Sequence, residues 1–216
     1  RGDNMITVWC MNTNNHAPQS EVDILRRMVS KHLSLPHQFN CIIESDLPGW
    51  WGKVRLFNEN SRERNLWLDL DTVITGSLDG LVTPLDNGIR IAKNWAKSGY
   101  GGCQSSVMYW EGDNGRIISD EFDPAIAHWP PRNEPGILWG DQEWITHLRD
   151  KDQIDVEYFN PVDVVSYKYH CQGGLPNGAK VAVFHGKPKP NEVRDGWVSE
   201  ARNCNGSGQV HFLRAS

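Results

Sequence analysis

Apolar residues in this chain come in short blocks divided by polar turns, and the period changes from block to block. Residues 5–10 (Met-Ile-Thr-Val-Trp-Cys) form a near-continuous apolar run and predict a buried first strand. The polar stretch 11–18, with Asn12, Asn14 and Asn15, predicts a loop. Ser20-Glu21-Val22-Asp23 has the form of a capping box. Val22, Leu25, Val29 and Leu33 then recur at helical spacing, with Met28 widening the stripe, so a helix is expected to about Leu33. Residues 39–43 predict a second strand. Pro48-Gly49-Trp50-Trp51 predicts a turn opening a short helix that carries Lys53, Val54 and Phe57, and a third strand runs into Asp69-Leu70-Asp71. This strand, helix, strand, helix, strand order predicts an α/β sheet with parallel strands, whose ligands gather beyond the strands' carboxyl ends. Later strands are expected at 89–95, 105–110, 164–167 and 181–185. Helices are expected at 123–128, opened by Asp123-Pro124, and at 141–149, where Asp141 has the form of an N-cap.

Composition narrows the class. A chain of 216 residues with 38% hydrophobic content supports one sizeable core, and nothing in it reads as a repeat or an interdomain linker. The expected organisation is a polar tail at 1–4, one domain over 5–200, and a C-terminal tail over 201–216, of which the Gly/Ser/Asn-rich Asn203 to Gly208 is expected to be mobile. The ten tryptophans are scattered, which suits core packing for most of them. Trp129-Pro130-Pro131 is open to two readings, a stacking platform or a rigid loop packing one indole on the core. The net charge of −5, with acids and bases interspersed, argues against a general nucleic-acid binder. Only Arg26-Arg27 with Lys31, and the segment 180–189, offer local basic patches. No stretch is long and apolar enough to span a membrane and no signal-peptide pattern opens the chain, so a cytoplasmic location is expected. Five cysteines without a C-x-x-C are expected to be buried free thiols.

The chemistry concentrates in Asp69-Leu70-Asp71. In an extended strand Asp69 and Asp71 point the same way, and two like charges at a strand end call for a cation or a donor. The alternative is a solvated strand exit. Three further segments bear on the choice: Gln104-Ser105-Ser106-Val107, Gly140-Asp141-Gln142, and the late run His185-Gly186-Lys187-Pro188-Lys189-Pro190.

With Asp69-Leu70-Asp71-Thr72 following an apolar strand and Lys53 about one helix upstream, the order of these motifs resembles the nucleotide-sugar glycosyltransferases of family 8, the retaining group that includes glycogenin and bacterial galactosyltransferases. The resemblance runs from Met5 to about Trp197. It implies a single Rossmann-like GT-A domain, with a mixed, mostly parallel sheet flanked by helices. It also implies transfer of a sugar from a nucleotide-sugar, a UDP-sugar, to an acceptor hydroxyl with retention of configuration. On this resemblance Asp69, Asp71 and His185 hold a divalent cation, and one imidazole among oxygen ligands favours Mn2+ over Mg2+. Cys10, Met11 and Asn12 lie where base and ribose are expected, with His16 in place of the family's loop tyrosine. Leu70 and Ser105 join them as donor contacts, and Lys53 binds donor sugar or phosphate. Lys187 and Lys189 contact the diphosphate, and Gly186 lets the backbone approach it. Asp141 binds sugar hydroxyls, Gln142 sits under the anomeric carbon, and Gln104 stands where the family has a shorter Asn. The acceptor remains open. It is expected at loops 113–135 and after Trp197, and the lack of a basic amphipathic C-terminal helix favours a soluble acceptor over a lipid-linked one. Two other readings remain: a non-catalytic nucleotide-sugar or glycan-binding module of the same fold, and a phosphodiesterase that recruits Glu44 and Asp46 to the Asp pair.

Overall fold

A computed structural model describes residues 5–58, 64–96, 101–130, 134 and 137–215; the expected N-terminal tail and Pro131 lie outside these. Its centre is a seven-stranded sheet in the order β10-β2-β1-β3-β6-β5-β7. The strands are β1 (Ile6–Met11), β2 (His37–Ser45), β3 (Arg64–Leu68), β5 (Ile89–Lys93), β6 (Cys103–Glu111), β7 (Val156–Tyr158) and β10 (Val210–Ala215). β10, β2, β1 and β3 run parallel, β6 is antiparallel to both its neighbours, and β7 is parallel to β5. A small second sheet, β8 (Val164–Ser166), β9 (Val181–Val183) and β4 (Thr72–Ile74), holds the chain that leaves β3.

All six residues of β1 are buried, as expected for a central parallel strand covered on both faces. One face packs on α1 (Gln19–His32), α5 (Gly196–Arg202) and the small sheet, through Val22, Leu25, Val29, Val73, Val181 and Val198. The other packs on the 3₁₀ segment Gly49–Asn58, α2 (Ile117–Asp120) and α3 (Asp141–Asp150), through Trp51, Phe57, Trp67, Trp110, Ile118 and Trp144. All five cysteines are buried free thiols. Among the described residues no helix is long and apolar enough to cross a membrane.

Four expectations change. The third strand, expected to run into Asp69-Leu70-Asp71, ends at Leu68, and the acid pair lies in a turn closed by the Thr72 N–H on the Asp69 carbonyl (3.1 Å). α1 begins at Gln19 behind Pro18, so Ser20 is inside the helix and caps nothing; the Glu21 N–H bonds the Pro18 carbonyl instead. The expected helix at 123–128 is a single 3₁₀ turn, Pro124–Ile126, capped by Asp123 accepting from the Ala125 N–H. The segment 201–216, expected to be a tail outside the domain, contains β10, which pairs with β2 and buries Ala215.

Candidate functional site

The 3₁₀ segment Gly49–Asn58 turns Lys53 inward, across the end of β3. Its ammonium is buried, with Nζ 3.0 Å from Asp69 Oδ1, 3.3 Å from Asp141 Oδ2 and 3.2 Å from Ser105 Oγ, and it lies 5.4 Å from the centre of the Trp67 ring. Burial opposes a charge there, but Asp141 and Asp69 outweigh it and hold the Lys53 pKa above its ordinary range. Asp141 is the first residue of α3, where Gly140 and not Asp141 occupies the N-cap. Burial pushes its carboxyl up, against Lys53 and a hydrogen bond from Ser105. Its Oδ2 is at ion-pair distance from Lys53 yet makes no hydrogen bond, which leaves a buried acceptor with capacity to spare.

Ser105 reaches this cluster because β6 is irregular. β5 Ile91 opposes Met108 while its neighbour Ala92 opposes Gln104, so 105–107 bulge from the β5–β6 ladder. The Ser106 carbonyl accepts the Asp69 N–H (2.9 Å), tying the bulge to the acid pair.

Asp71 follows two residues on. Burial and the charge of Asp69 push its carboxyl up, and Lys189, 2.5 Å away, opposes both. Asp69, Asp71 and Asp141 thus share two ammonium groups, Lys53 and Lys189, and the cluster keeps one unit of negative charge. The two Asp side chains of the Asp-x-Asp pair fit a divalent cation in charge and chemistry.

His185 does not join them. The Phe184 N–H bonds the Asp71 carbonyl (3.0 Å), which brings the two backbones side by side. The imidazole, however, shares a 2.7 Å hydrogen bond between Nε2 and Ser166 Oγ, with the rings of Trp95 and Tyr169 stacked 5.8 Å away. Burial, with the charges of Lys168 and Lys189, lowers its pKa to about 4. Among the described residues no three His, Cys, Asp or Glu side chains converge as a metal-ligand set. The expected Asp69-Asp71-His185 triad is therefore not assembled: the ring's hydrogen bond is met by Ser166 and its faces by Trp95 and Tyr169.

The remaining expected residues divide. Cys10 is buried at the end of β1, near enough to Asp69 to feel its charge, and its partner across the ladder is Cys41. Met11 packs its sulfur toward Gly52. The Asn12 amide, expected at the base or ribose, closes its own loop, donating to the Ala17 carbonyl and accepting the Ala17 N–H. His16 is exposed, its Nδ1 3.3 Å from the Thr13 carbonyl. Leu70 is half-buried between the acids. Gln104 is locked on its own strand, donating to Ser106 Oγ (2.7 Å) and accepting the Ser106 N–H (3.0 Å), so its extra length does not project into the cluster. Gln142 is half-buried in the first turn of α3. Gly186 has φ +75°, a left-handed conformation suited to glycine, and Lys187 is exposed and paired with Glu192. Glu44 pairs with Arg214 and Asp46 with Arg55, so neither supplements the acid pair.

Trp50 and Trp139 were not expected here. Trp50 lies one 3₁₀ turn before Lys53, its Nε1 donates to the Trp139 carbonyl (3.2 Å), and Trp139 is two residues before Asp141. The only sequence signal was the proximity of Trp50 to Lys53 and of Trp139 to Gly140-Asp141.

No protein-family model matches the sequence, and no curated protein matches it significantly. Solved structures do match its shape. The apo-form glycosyltransferase GlyE of Streptococcus pneumoniae TIGR4 superposes with a TM-score of 0.59 at 13% identity, over 92% of this chain and 60% of that one. An active-site mutant of LgtC gives 0.61 at 10% identity, over 90% and 94%. A glycosyltransferase involved in glycosylation of the major capsid of PBCV-1 gives 0.61 at 10%, over 92% and 97%. The chain spans well under two thirds of GlyE but nearly all of the other two. Its mixed α/β architecture, with a mostly parallel central sheet flanked by helices, is the GT-A fold of these glycosyltransferases.

Proposed function

We propose that this chain is a glycosyltransferase of the family 8 type that takes a nucleotide-sugar, a UDP-sugar, and transfers its sugar to an acceptor hydroxyl with retention. The observation that carries the reading is the cluster of Asp69 and Asp141 on buried Lys53, with Asp71 two residues on held by Lys189, beyond the carboxyl ends of β1 and β3, the position where open α/β sheets bind ligands. A cytoplasmic location and one catalytic domain, with β10 included, belong to the same proposal.

In this reading Lys53 is a positioning residue. It fixes Asp69 and Asp141 and makes it possible for both to remain ionised. Asp141, with Oδ2 on Lys53 and further acceptor capacity, accepts a hydroxyl of the donor sugar, and Gln142 lies beside it near the anomeric carbon. Lys189, with Lys187 on the same loop, stabilises the charge that grows on the departing diphosphate, as fixed ammonium groups do when aimed at developing charge. Asp69 and Asp71 would hold a divalent cation, Mn2+ or Mg2+, which when bound supplies Lewis acidity at the diphosphate. The leaving diphosphate can itself take the acceptor proton, so no dedicated base is required.

Two observations favour a second reading, a nucleotide-sugar-binding module without turnover: the His185 ring is hydrogen-bonded to Ser166, and Lys189 is bound to Asp71. Calorimetry with UDP, with and without MnCl2, followed by release of UDP from UDP-galactose, UDP-glucose and UDP-N-acetylglucosamine, separates the two. Cation-dependent binding with turnover that disappears in Asp71→Ala supports the enzyme. Binding without turnover supports the module, and no binding of any of these nucleotides sinks both.

A further inference from the structure

Most large apolar side chains of this protein are buried, yet two tryptophans that pack on Trp50, three residues before Lys53, are half in solvent: Trp129 at 51% and Trp139 at 49%. Burying an indole is favourable, so two exposed ones held in fixed positions call for an explanation.

Their positions are set by specific contacts. Trp50 stands between them, its ring edge-on to Trp129 (centroids 4.7 Å apart, 84°) and tilted to Trp139 (6.1 Å, 62°). Trp129 lies over Gly49, which has φ +57°; a Cβ there would come within 2.2 Å of the indole, so one side of Trp129 rests on bare backbone while the rest faces water. Trp139 is fixed at both ends of its peptide unit. Its N–H donates to Glu143 Oε2 (2.6 Å), and its carbonyl accepts from Trp50 Nε1 (3.2 Å). Gly140 follows with no room for a side chain, since a Cβ would lie 2.5 Å from Trp50 Nε1.

The platform is registered to the carboxylate cluster. In a 3₁₀ helix side chains three residues apart eclipse, so Trp50 and Lys53 leave the segment on the same side, one turn apart. Lys53 grips Asp141, and Asp141 follows Trp139 by two residues.

We propose that Trp129 and Trp139 form the acceptor subsite of this protein and that it takes a glycoside, a pyranose presenting its C–H-rich face to the indoles. An aliphatic alcohol offers no such flat face. The proposal rests on the glycosyltransferase reading for its role, but its binding step does not require turnover.

The test is saturation-transfer NMR and calorimetry with methyl β-D-galactopyranoside, methyl β-D-glucopyranoside, lactose and cellobiose, without nucleotide. At least one should bind, with transfer strongest to the ring C–H protons. Trp129→Ala and Trp139→Ala should each weaken it about tenfold, and Trp→Phe at either position should retain most of the affinity, with melting temperatures of all four variants reporting folding. No binding by any of these glycosides, or binding unchanged in both folded alanine variants, overturns the platform. Glycoside binding that requires Trp129 and Trp139, without transfer from any nucleotide-sugar, upholds the platform and defeats the transferase reading alone.

Discussion

Lys53 carries most of the site's electrostatics at the scale of single residues. Its ammonium is buried with two carboxylates, and a buried ion pair that loses one partner leaves the other charge uncompensated at a cost of about 3–5 kcal/mol. Lys53→Met is therefore expected to lower unfolding free energy by about that amount in urea denaturation. The double variant Lys53→Met/Asp141→Leu should recover part of the loss, because removing both charges is much cheaper than removing one. A single variant within about 1 kcal/mol of the parent would show that the cluster is well hydrated. His185 makes a second prediction. The folded protein holds its pKa at about 4, below the 6.5 of an unperturbed histidine, so as pH falls the unfolded chain takes up this proton first. The ring's contribution is complete above about pH 6.5 and is lost as pH falls toward 4, amounting to ~1–2 kcal/mol once its partial exposure is allowed for. Asp71 and Asp141, whose carboxyls are pushed up, act in the opposite sense on acidification. Comparing urea midpoints of the parent and His185→Gln at pH 7 and pH 5 isolates the histidine: the variant should lose less stability between the two. An equal loss would mean that the ring is solvated.

Among elements, the 3₁₀ segment Gly49–Asn58 and the β6 bulge place the site. Both depart from regular geometry at the point where a side chain has to be aimed: the tight helix eclipses Trp50 with Lys53, and the bulge presents Ser105 to the same ammonium. Gly49 is where the first of these is most exposed to mutation. A β-carbon at φ +57° is unfavourable by itself and would also displace Trp129, so Gly49→Ala is expected to cost about 1–2 kcal/mol, read as a lower melting temperature. A melting temperature equal to the parent's would show that Trp129 does not rest on this backbone. The periodic helix α1 and the strands β1, β2, β5 and β6 were legible to within a few residues because each presents a continuous apolar face to the core. The single turn α2 was not, and Pro124–Ile126 was placed by its Asp123-Pro124 cap but expected to be longer, since a turn of three or four residues carries no period.

For the molecule as a whole, the C-terminal segment determines how the parallel end of the sheet is closed. β10 covers β2 through six ladder positions, and Arg202 of α5 binds Glu21 of α1 with two hydrogen bonds of 2.9 Å. Deleting residues 203–216 would expose the β2 edge and uncover part of the core around Ala215. The truncated chain is expected to melt several degrees lower, at about 2–4 °C for each kcal/mol lost, and to self-associate in light scattering. A truncated chain that melts like the parent and stays monomeric would make β10 an ornament. Residues 203–208 carry no helix or strand, in keeping with their composition, but β10 was not legible because it alternates only weakly and leaves Phe212 and Leu213 exposed.

The sequence alone determined the α/β class, the parallel core, and the residues at which carboxylates and lysines gather, because these follow from local period and from charges set at strand and helix ends. Tertiary structure alone decided which of those charges meet. Lys53 joins Asp69 to Asp141, Lys189 takes Asp71, and His185 turns to Ser166, since an ion pair between residues scores apart depends on how the sheet and its crossovers bring their ends together, and nothing in a residue's own neighbourhood encodes that distance.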